Sequence, residues 1–259
     1  EMTEQATYTN WDFTGGTTDG EDDIWTREAD GTTYPCLTWE GSTCPLAPQS
    51  EFIISTCEEL QNIRDNLWAT YTLDRNIDCS NSNVWNAGKG FIPLGNTTTP
   101  FTGTLDGGGF SIENLFIDRP TEDSIGLFGY ARDAEITNLN FITPQITGRN
   151  RVGVLAGKIE NTSISTILIN DSDITGEVDT GGLVGYVSSS SLVHISNRNG
   201  FIRGNTYTTG GLVGYITTSS LNQASNRGAV TGISEAGGLI GYMGPNNLVE
   251  DSYFSGELQ

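Results

Sequence analysis

Two groups of carboxylates, Asp171, Asp173 and Asp179 and, further upstream, Asp118, Glu122 and Asp123, lie close enough in sequence to be read as the paired acids of a glycosidase. That chemistry needs two carboxyl groups about 5–9 Å apart facing one groove. Neither group brings the basic partner a lyase would use, and the first trio falls around an expected turn, where solvated carboxylates are ordinary. The single histidine, His194, has no Ser or Cys motif beside it and reads as a satisfied or surface residue of a strand. Asp19-Gly20-Glu21-Asp22-Asp23 offers carboxylate oxygens of the kind Ca²⁺ takes, without the EF-hand spacing, so a solvated loop is the default. Gly107-Gly108-Gly109 lacks the Lys and Ser/Thr of a phosphate loop and reads as a turn. The sequons Asn96-Thr97-Thr98, Asn161-Thr162-Ser163 and Asn170-Asp171-Ser172 are of the sort that arise by chance in a chain rich in Asn and Thr. No catalytic, cofactor or metal residue is expected, Ca²⁺ in the 19–23 loop being the sole candidate ion, and no enzyme.

The four cysteines, Cys36, Cys44, Cys57 and Cys79, are too widely spaced for a zinc site and have no histidine to help them. Disulfides are the better reading, and they imply an oxidising, extracellular compartment. Three pairings are possible; Cys36–Cys44 with Cys57–Cys79 is favoured because each closes a short local loop.

These residues sit on a chain of 259 residues that is 36% hydrophobic and rich in Gly, Thr, Ser and Asn. Such a composition suits many short strands joined by frequent turns, not a packed helical protein. The net charge is −20, a field that repels nucleic acid and anionic membrane. No apolar run approaches the roughly 20 residues of a membrane helix. The acidic start, Glu1-Met2-Thr3-Glu4, lacks the basic and apolar regions of a signal peptide, which points to a signal already removed or to a start downstream of one.

Internal periodicity organises the rest. Ile125-Gly126-Leu127-Phe128-Gly129-Tyr130 returns as Gly153-Val154-Leu155-Ala156-Gly157-Lys158, Gly181-Gly182-Leu183-Val184-Gly185-Tyr186, Gly210-Gly211-Leu212-Val213-Gly214-Tyr215 and Gly237-Gly238-Leu239-Ile240-Gly241-Tyr242. Successive final glycines are 28, 28, 29 and 27 residues apart. Two further strand-like stretches follow within a period, such as Ser191–Ser196, where Leu192 and His194 alternate with Val193 and Ile195, and Gly200–Gly204. Three strands and three turns fill about 28 residues at strand rise, giving one coil of a triangular parallel β-helix whose copies stack about 4.8 Å apart. Leu127, Leu155, Leu183, Leu212 and Leu239 form one interior ladder, and Ile136, Ile164, Leu192 and Leu221 another. Tyr130, Tyr186, Tyr215 and Tyr242 stack along the outside, as cross-strand packing or as a carbohydrate platform.

The first third reads differently. Thr56 and Glu59 make a capping box, and Leu60, Ile63 and Leu67 have helical spacing, predicting a single helix that covers the open N-terminal strands of the solenoid. Tyr71–Leu73 and Asn76–Asp78 are expected to be first-coil strands, and Phe101–Phe110 a strand, a glycine turn and a strand. Residues 1–50, with Trp11, Phe13, Trp25, Tyr34 and Trp39, read as a separate aromatic β segment stapled by Cys36–Cys44, followed by residues 51–110 as cap and first coils and 111–259 as the repeat solenoid.

The Gly-Gly-Leu-Val-Gly-Tyr repeats, the Cys57–Leu67 helix, the Asn76-Ile77-Asp78 strand and the Phe101–Gly109 turn resemble the GLUG-motif family of bacterial and archaeal surface proteins. The resemblance implies a surface location and an all-β, right-handed parallel β-helix; with the repeat length and the scattered acids, the expectation is roughly six coils in a non-enzymatic, extracellular structural or adhesive module. In that family the Trp11–Trp39 type of block usually follows the solenoid, whereas here it precedes it. Either the chain is a piece of a longer array, or residues 7–44 of one subunit cap the next subunit's open coil in a head-to-tail filament. A carbohydrate-active β-helix enzyme is the third reading. The expected partners are other copies of the chain or neighbouring repeats, with a glycan or host surface protein as a further one, and neither nucleic acid nor an inserted membrane.

Overall fold

The computed structural model describes residues 51–259 and, in backbone alone, the strands Trp25–Thr26 and Cys36–Leu37. The chain divides into two compact units, Glu1–Ser50 and Glu51–Gln259. In the first, the two short strands pair antiparallel with Trp25 opposite Leu37. The Cys36–Cys44 pairing, the 19–23 loop, the side chain of Trp25 and all of Trp11, Phe13, Tyr34 and Trp39 lie outside the described residues.

Residues 51–259 wind into a parallel β-solenoid of about five turns, one fewer than the repeat length led us to expect. Each coil places strands on four sheets instead of three. Sheet A carries the long strands Glu135–Ile142, Ser163–Asn170, Ser191–Arg198 and Ser220–Asn226. Sheet B carries Phe116–Asp118, Gln145–Thr147, Asp173–Gly176, Phe201–Gly204 and Ala229–Gly232. Sheet C is a row of short strands, Asn150–Val152, Val178–Gly181, Thr209–Gly210 and Ala236–Gly237. Sheet D holds Phe128–Arg132, Ala156–Glu160, Val184–Ser188, Val213–Thr217 and Ile240–Met243. The repeated hexapeptide is therefore not one strand. In the last three copies its first glycine ends a sheet C strand and the next two residues turn, and in all five the residue after Leu opens sheet D.

Parallel pairing in register turns each sequence position into a column. Leu127, Leu155, Leu183 and Leu212 are fully buried, whereas Leu239, in the last of these coils, is half-buried. Ile136, Ile164, Leu192 and Leu221 stack on sheet A, and Ile117, Ile146, Ile174, Ile202 and Val230 on sheet B. Stacked apolar columns on a shared backbone ladder make neighbouring coils stabilise one another.

The strict alternation expected around His194 does not hold. Leu192 and Ile195 both point into the core, three residues apart, while His194 is exposed. His194 has φ 57°, in the left-handed region. One residue in that conformation acts as a bulge and shifts the side-chain parity of the strand behind it. The same kink recurs at Asn138, Thr166, Gln223 and Asp251, so it bends every sheet A strand at one level. A second left-handed row, Asp133, Asn161, Ser189, Thr218 and Asn246, turns the chain from sheet D to sheet A.

The glycines answer to space. A Cβ on the final glycine of any of the five motifs, Gly129, Gly157, Gly185, Gly214 or Gly241, would sit 2.3–2.6 Å from backbone atoms. For Gly185 those are the carbonyl carbon of Arg151 and the nitrogen of Val152, on the previous coil's sheet C strand. For Gly182 and Gly211 the obstruction is the carbonyl oxygen of Gly211 and of Gly238, 2.1 Å away. At these glycines the corner between sheets C and D leaves no room for a Cβ, although the coil of Gly153 takes Val154 where the later coils have Gly182 and Gly211.

At the N-terminal side, strand Glu51–Ile54 pairs with Thr70–Leu73, and α1 (Cys57–Asn62) lies between them in sequence. The capping box is formed, with the Glu59 N–H donating to Thr56 Oγ1 (3.2 Å) and the Thr56 N–H to Glu59 Oε2 (3.1 Å). Leu60 and Ile63 are buried in the core, and the Gln61 amide both accepts from and donates to the backbone of Ile92, at 2.7 and 3.0 Å. The helix is shorter than its apolar spacing implied, passing into a 3₁₀ turn at Ile63–Asp65. A second helical turn, Trp85–Gly88, was unforeseen; its Asn86 and Ala87 are left-handed, with φ 52° and 59°. Cys57 and Cys79 are joined, closing a loop with a sequence separation of 22.

Replacing both Cys57 and Cys79 by Ser should lower stability by about 3 kcal/mol in denaturant titration, the loop-closure value for this separation. Gly185→Ala should cost roughly 2 kcal/mol or more by overpacking, while Thr166→Asn, relieving a β-branched residue at φ 58°, should gain about 0.5–1 kcal/mol. Thermal unfolding of the two variants checks both signs.

Candidate functional site

Stacking in register brings one surface column together on sheet D: Tyr130, Lys158, Tyr186, Tyr215 and Tyr242. The rings of Tyr186 and Tyr215 are 4.9 Å apart and 5° from parallel, and those of Tyr215 and Tyr242 are 5.2 Å apart at 18°. Where the repeat substitutes lysine for tyrosine, the Lys158 ammonium takes the place of a ring, 4.5 Å from the centre of Tyr130 and 5.9 Å from that of Tyr186. Glu160 anchors it, accepting from Lys158 Nζ at 3.2 Å and from the Tyr130 hydroxyl at 2.6 Å. Tyr186, Tyr215 and Tyr242 stack face to face, so each ring covers its neighbour, whereas Tyr130 is buried and packs against Lys158 instead of a ring. A carbohydrate platform needs open faces, and the faces shared by Tyr186, Tyr215 and Tyr242 are covered.

A parallel column one place before the sheet C register partners Thr180, Thr209 and Ala236 forms the facing wall. Asp179 precedes Thr180, Thr208 precedes Thr209, and Glu235 precedes Ala236, and these three followers are register partners. Together with Tyr207, which is 61% exposed, they and the tyrosine stack bound a cleft of about 460 Å³. Burial pushes the Asp179 carboxyl upward, opposed in part by a hydrogen bond donated by the Thr208 hydroxyl. Burial, with the neighbouring Tyr215 and Asp179, also raises the Tyr186 phenol.

The carboxylates singled out for catalysis do not converge. Asp171 is exposed at the corner between sheets A and B, Asp173 is exposed on sheet B and ion-paired with Arg203, and Asp179 belongs to the sheet C row. Glu122, although burial opposes its ionisation, is held below the usual range by Lys89 (3.1 Å) and Arg119 (3.0 Å). Asp123 is held low by Arg149 at 2.7 Å. Asp118 is exposed at the end of its strand. Asp179 and Glu235 share a column two coils apart, about 9.6 Å along the axis, at the outer edge of the inverting range. Thr208 stands between them and binds Asp179, filling the space where a glycosidic oxygen would sit. Among the described residues no three His, Cys, Asp or Glu side chains gather as metal ligands, and no helix is long and apolar enough to cross a membrane.

Of these residues, the repeat spacing pointed to the tyrosines alone. Tyr207 and Glu235 escaped it because the residues at the start of sheet C vary from coil to coil, and only the register, with Asp179, Thr208 and Glu235 each one place before the partners Thr180, Thr209 and Ala236, reveals the second column.

Fold and surface columns together define a β-solenoid repeat protein. No known family model matches the chain. It is 33% identical over 212 residues to halomucin of Haloquadratum walsbyi, covering 78% of this chain and 2% of that protein. It is 28% identical over 182 residues to a protein of Evansella cellulosilytica described as a Gly-rich membrane protein, covering 57% of the chain and 21% of the relative. A similarity of 28% over 138 residues to the immunoglobulin A1 protease of Streptococcus sanguinis spans 7% of that enzyme. The chain thus spans a small fraction of each relative's length. Among solved structures, one described as an immunoglobulin A1 protease from Bacteroides ovatus superposes with a TM-score of 0.67 at 16% identity, over 81% of this chain and 67% of that one, a likeness of fold.

Burial, with the hydrogen bond to Glu160, pushes the Tyr130 phenol up to about 12, and burial with nearby Asp65 does the same for Tyr71. An unfolded tyrosine ionises near 10, so the stability these phenols contribute is whole below about pH 10 and is lost as pH rises towards 12. Tyr130→Phe should therefore flatten the fall in stability between those values, measured by urea denaturation across the alkaline range.

Proposed function

We propose that the chain is a non-enzymatic structural module of an extracellular or cell-surface protein, a length of solenoid that spaces and presents neighbouring parts. It is a repeat of the GLUG kind in its Gly-Gly-Leu-Val-Gly-Tyr corners. The observation that carries this reading is the unbroken coil-on-coil register from Thr104 to Phe254 along sheet A. The material of the repeat is spent on closing corners and filling columns, and the candidate acids are dispersed or neutralised by ion pairs. Kinship with halomucin and with a Gly-rich membrane protein, together with the Cys57–Cys79 disulfide, supports a surface setting.

One observation favours assembly as a second reading. Ile233, Met243, Leu248, Tyr253 and Leu258, all in the last coil, are 49–74% exposed, and a further coil stacked there would cover such groups. The occupant is either a neighbouring repeat or another copy of the chain, including one capped through residues 7–44. Light scattering decides between them, since copies that stack head to tail polymerise with rising concentration. Adhesion to a glycan or host protein is compatible with the same architecture.

The module reading is tested by inserting a duplicate of residues 150–177 after Glu177. A solenoid of interchangeable coils should fold, lengthen by about 4.8 Å in small-angle scattering and unfold at an equal or higher temperature. Loss of cooperative unfolding would show that the coils are not interchangeable and would remove the spacer role.

A further inference from the structure

We propose that Tyr186 and Tyr215 form a site of oxidative cross-linking, at which a one-electron oxidant joins their rings as dityrosine and clamps two neighbouring coils. The two residues are register partners on sheet D. Their rings lie 4.9 Å apart and 5° from parallel, and both are half-buried, so a small oxidant in solution reaches them. Tyr242 extends the stack by a third ring, 5.2 Å from Tyr215 and 43% exposed. Lys158 ends it on the other side, where an ammonium takes the place of a ring beside Tyr186. No other tyrosine among the described residues stacks on a tyrosine. Tyr130 faces the Lys158 ammonium, and Tyr71 stacks on Phe52, a ring with no hydroxyl to oxidise. Tyr207 and Tyr253, at 61% and 49% exposure, meet an oxidant more readily but have no tyrosine partner in the stack.

The chemistry takes two oxidising equivalents. Each phenol gives one electron to the oxidant and its hydroxyl proton to water, leaving a phenoxyl radical whose unpaired electron is shared with the carbons ortho to oxygen. A bond then forms between one ortho carbon (Cε) of each ring. The C–H bonds at those two carbons break, and the two protons return to the oxygens, so both phenols are restored. The net change is two tyrosines to one dityrosine, two protons and two electrons. Radicals on separate molecules must meet by diffusion, whereas rings already held in contact couple as neighbours. A link from residue 186 to residue 215 closes a loop through two coils and restricts the unfolded chain, as a disulfide does.

The experiment oxidises the whole chain with photo-excited tris(bipyridine)ruthenium and persulfate, and maps the products by peptide mass spectrometry. The monomer fraction should contain a linked pair of peptides joined through Tyr186 and Tyr215, lighter than the separate peptides by two hydrogens and showing the blue fluorescence of dityrosine. Its yield per chain should not change on dilution. Tyr215→Phe keeps a ring in the column but removes the shared oxidisable centre, so the monomer should lose this fluorescence. Tyr186→Phe should leave a Tyr215–Tyr242 link alone, and Tyr207→Phe should leave the yield unchanged. The cross-linked monomer should also unfold at a higher temperature than the oxidised Tyr215→Phe chain. Links found only between chains, a link to Tyr207 in place of Tyr186, or monomer dityrosine that persists in Tyr215→Phe would overturn the site. Equal unfolding temperatures would overturn the clamp.

Discussion

Everything in the solenoid depends on how closely two stretches of backbone approach at the corner between sheets C and D. There the final glycine of each motif faces the previous coil's backbone at a distance that leaves no room for a Cβ. A parallel ladder fixes the rise per coil at the hydrogen-bonding distance between strands, and a corner folded that tightly fixes the direction in which the chain re-enters the next strand. Once both are set, every other residue has its column assigned. Leucines meet leucines, the sheet A isoleucines meet isoleucines, and the surface tyrosines are carried into van der Waals contact without any interaction of their own having to select that geometry.

The left-handed residues are the complementary device. Glycine is used where space is lacking, whereas the row at Asn138, Thr166, His194, Gln223 and Asp251, half-buried at Asn138 and exposed at the other four, bends the chain with ordinary side chains. Threonine pays more for that conformation than asparagine does, and it persists because the coils above and below hold the same bend. Inside, Asn197 and Asn226 interrupt a column that is otherwise apolar, stacking below Ile169 and above Phe254. Both are fully buried, and their amides bond the carbonyl groups of Gly211 and Gly238, at 3.3 and 2.9 Å. They tie sheet A to the glycine corner, the place where a short turn leaves carbonyls without strand partners.

A regular scaffold of this kind separates architecture from chemistry. Columns are periodic, and a catalytic centre is not; it needs unlike groups brought together from different positions. The carboxylates at 118–123 and 171–179 illustrate the point, since neighbours in sequence are sent to successive faces of the same coil. Where the periodicity is broken, by Lys158 in a column of tyrosines or by Tyr207 and Glu235 in the row beside sheet C, the surface acquires features that a perfect repeat would not have.

The sequence by itself determined the repeat length, the parallel stacking, the interior leucine ladder, the capping box on α1 and the pairing of Cys57 with Cys79, because each follows from local spacing or from period. The number of sheets per coil, the parity shift at His194, the second helical turn at Trp85–Gly88 and the wall formed by Tyr207, Asp179 and Glu235 were decided by the tertiary structure. Backbone dihedrals at the corners are set by what the adjacent coils allow, and a single left-handed residue, invisible in the hydrophobic pattern, exchanges inside for outside. The face-to-face contact of the tyrosines is likewise a matter of register: sequence supplies the rings at intervals of 27–29 residues, and only the winding of the coils brings them to about 5 Å.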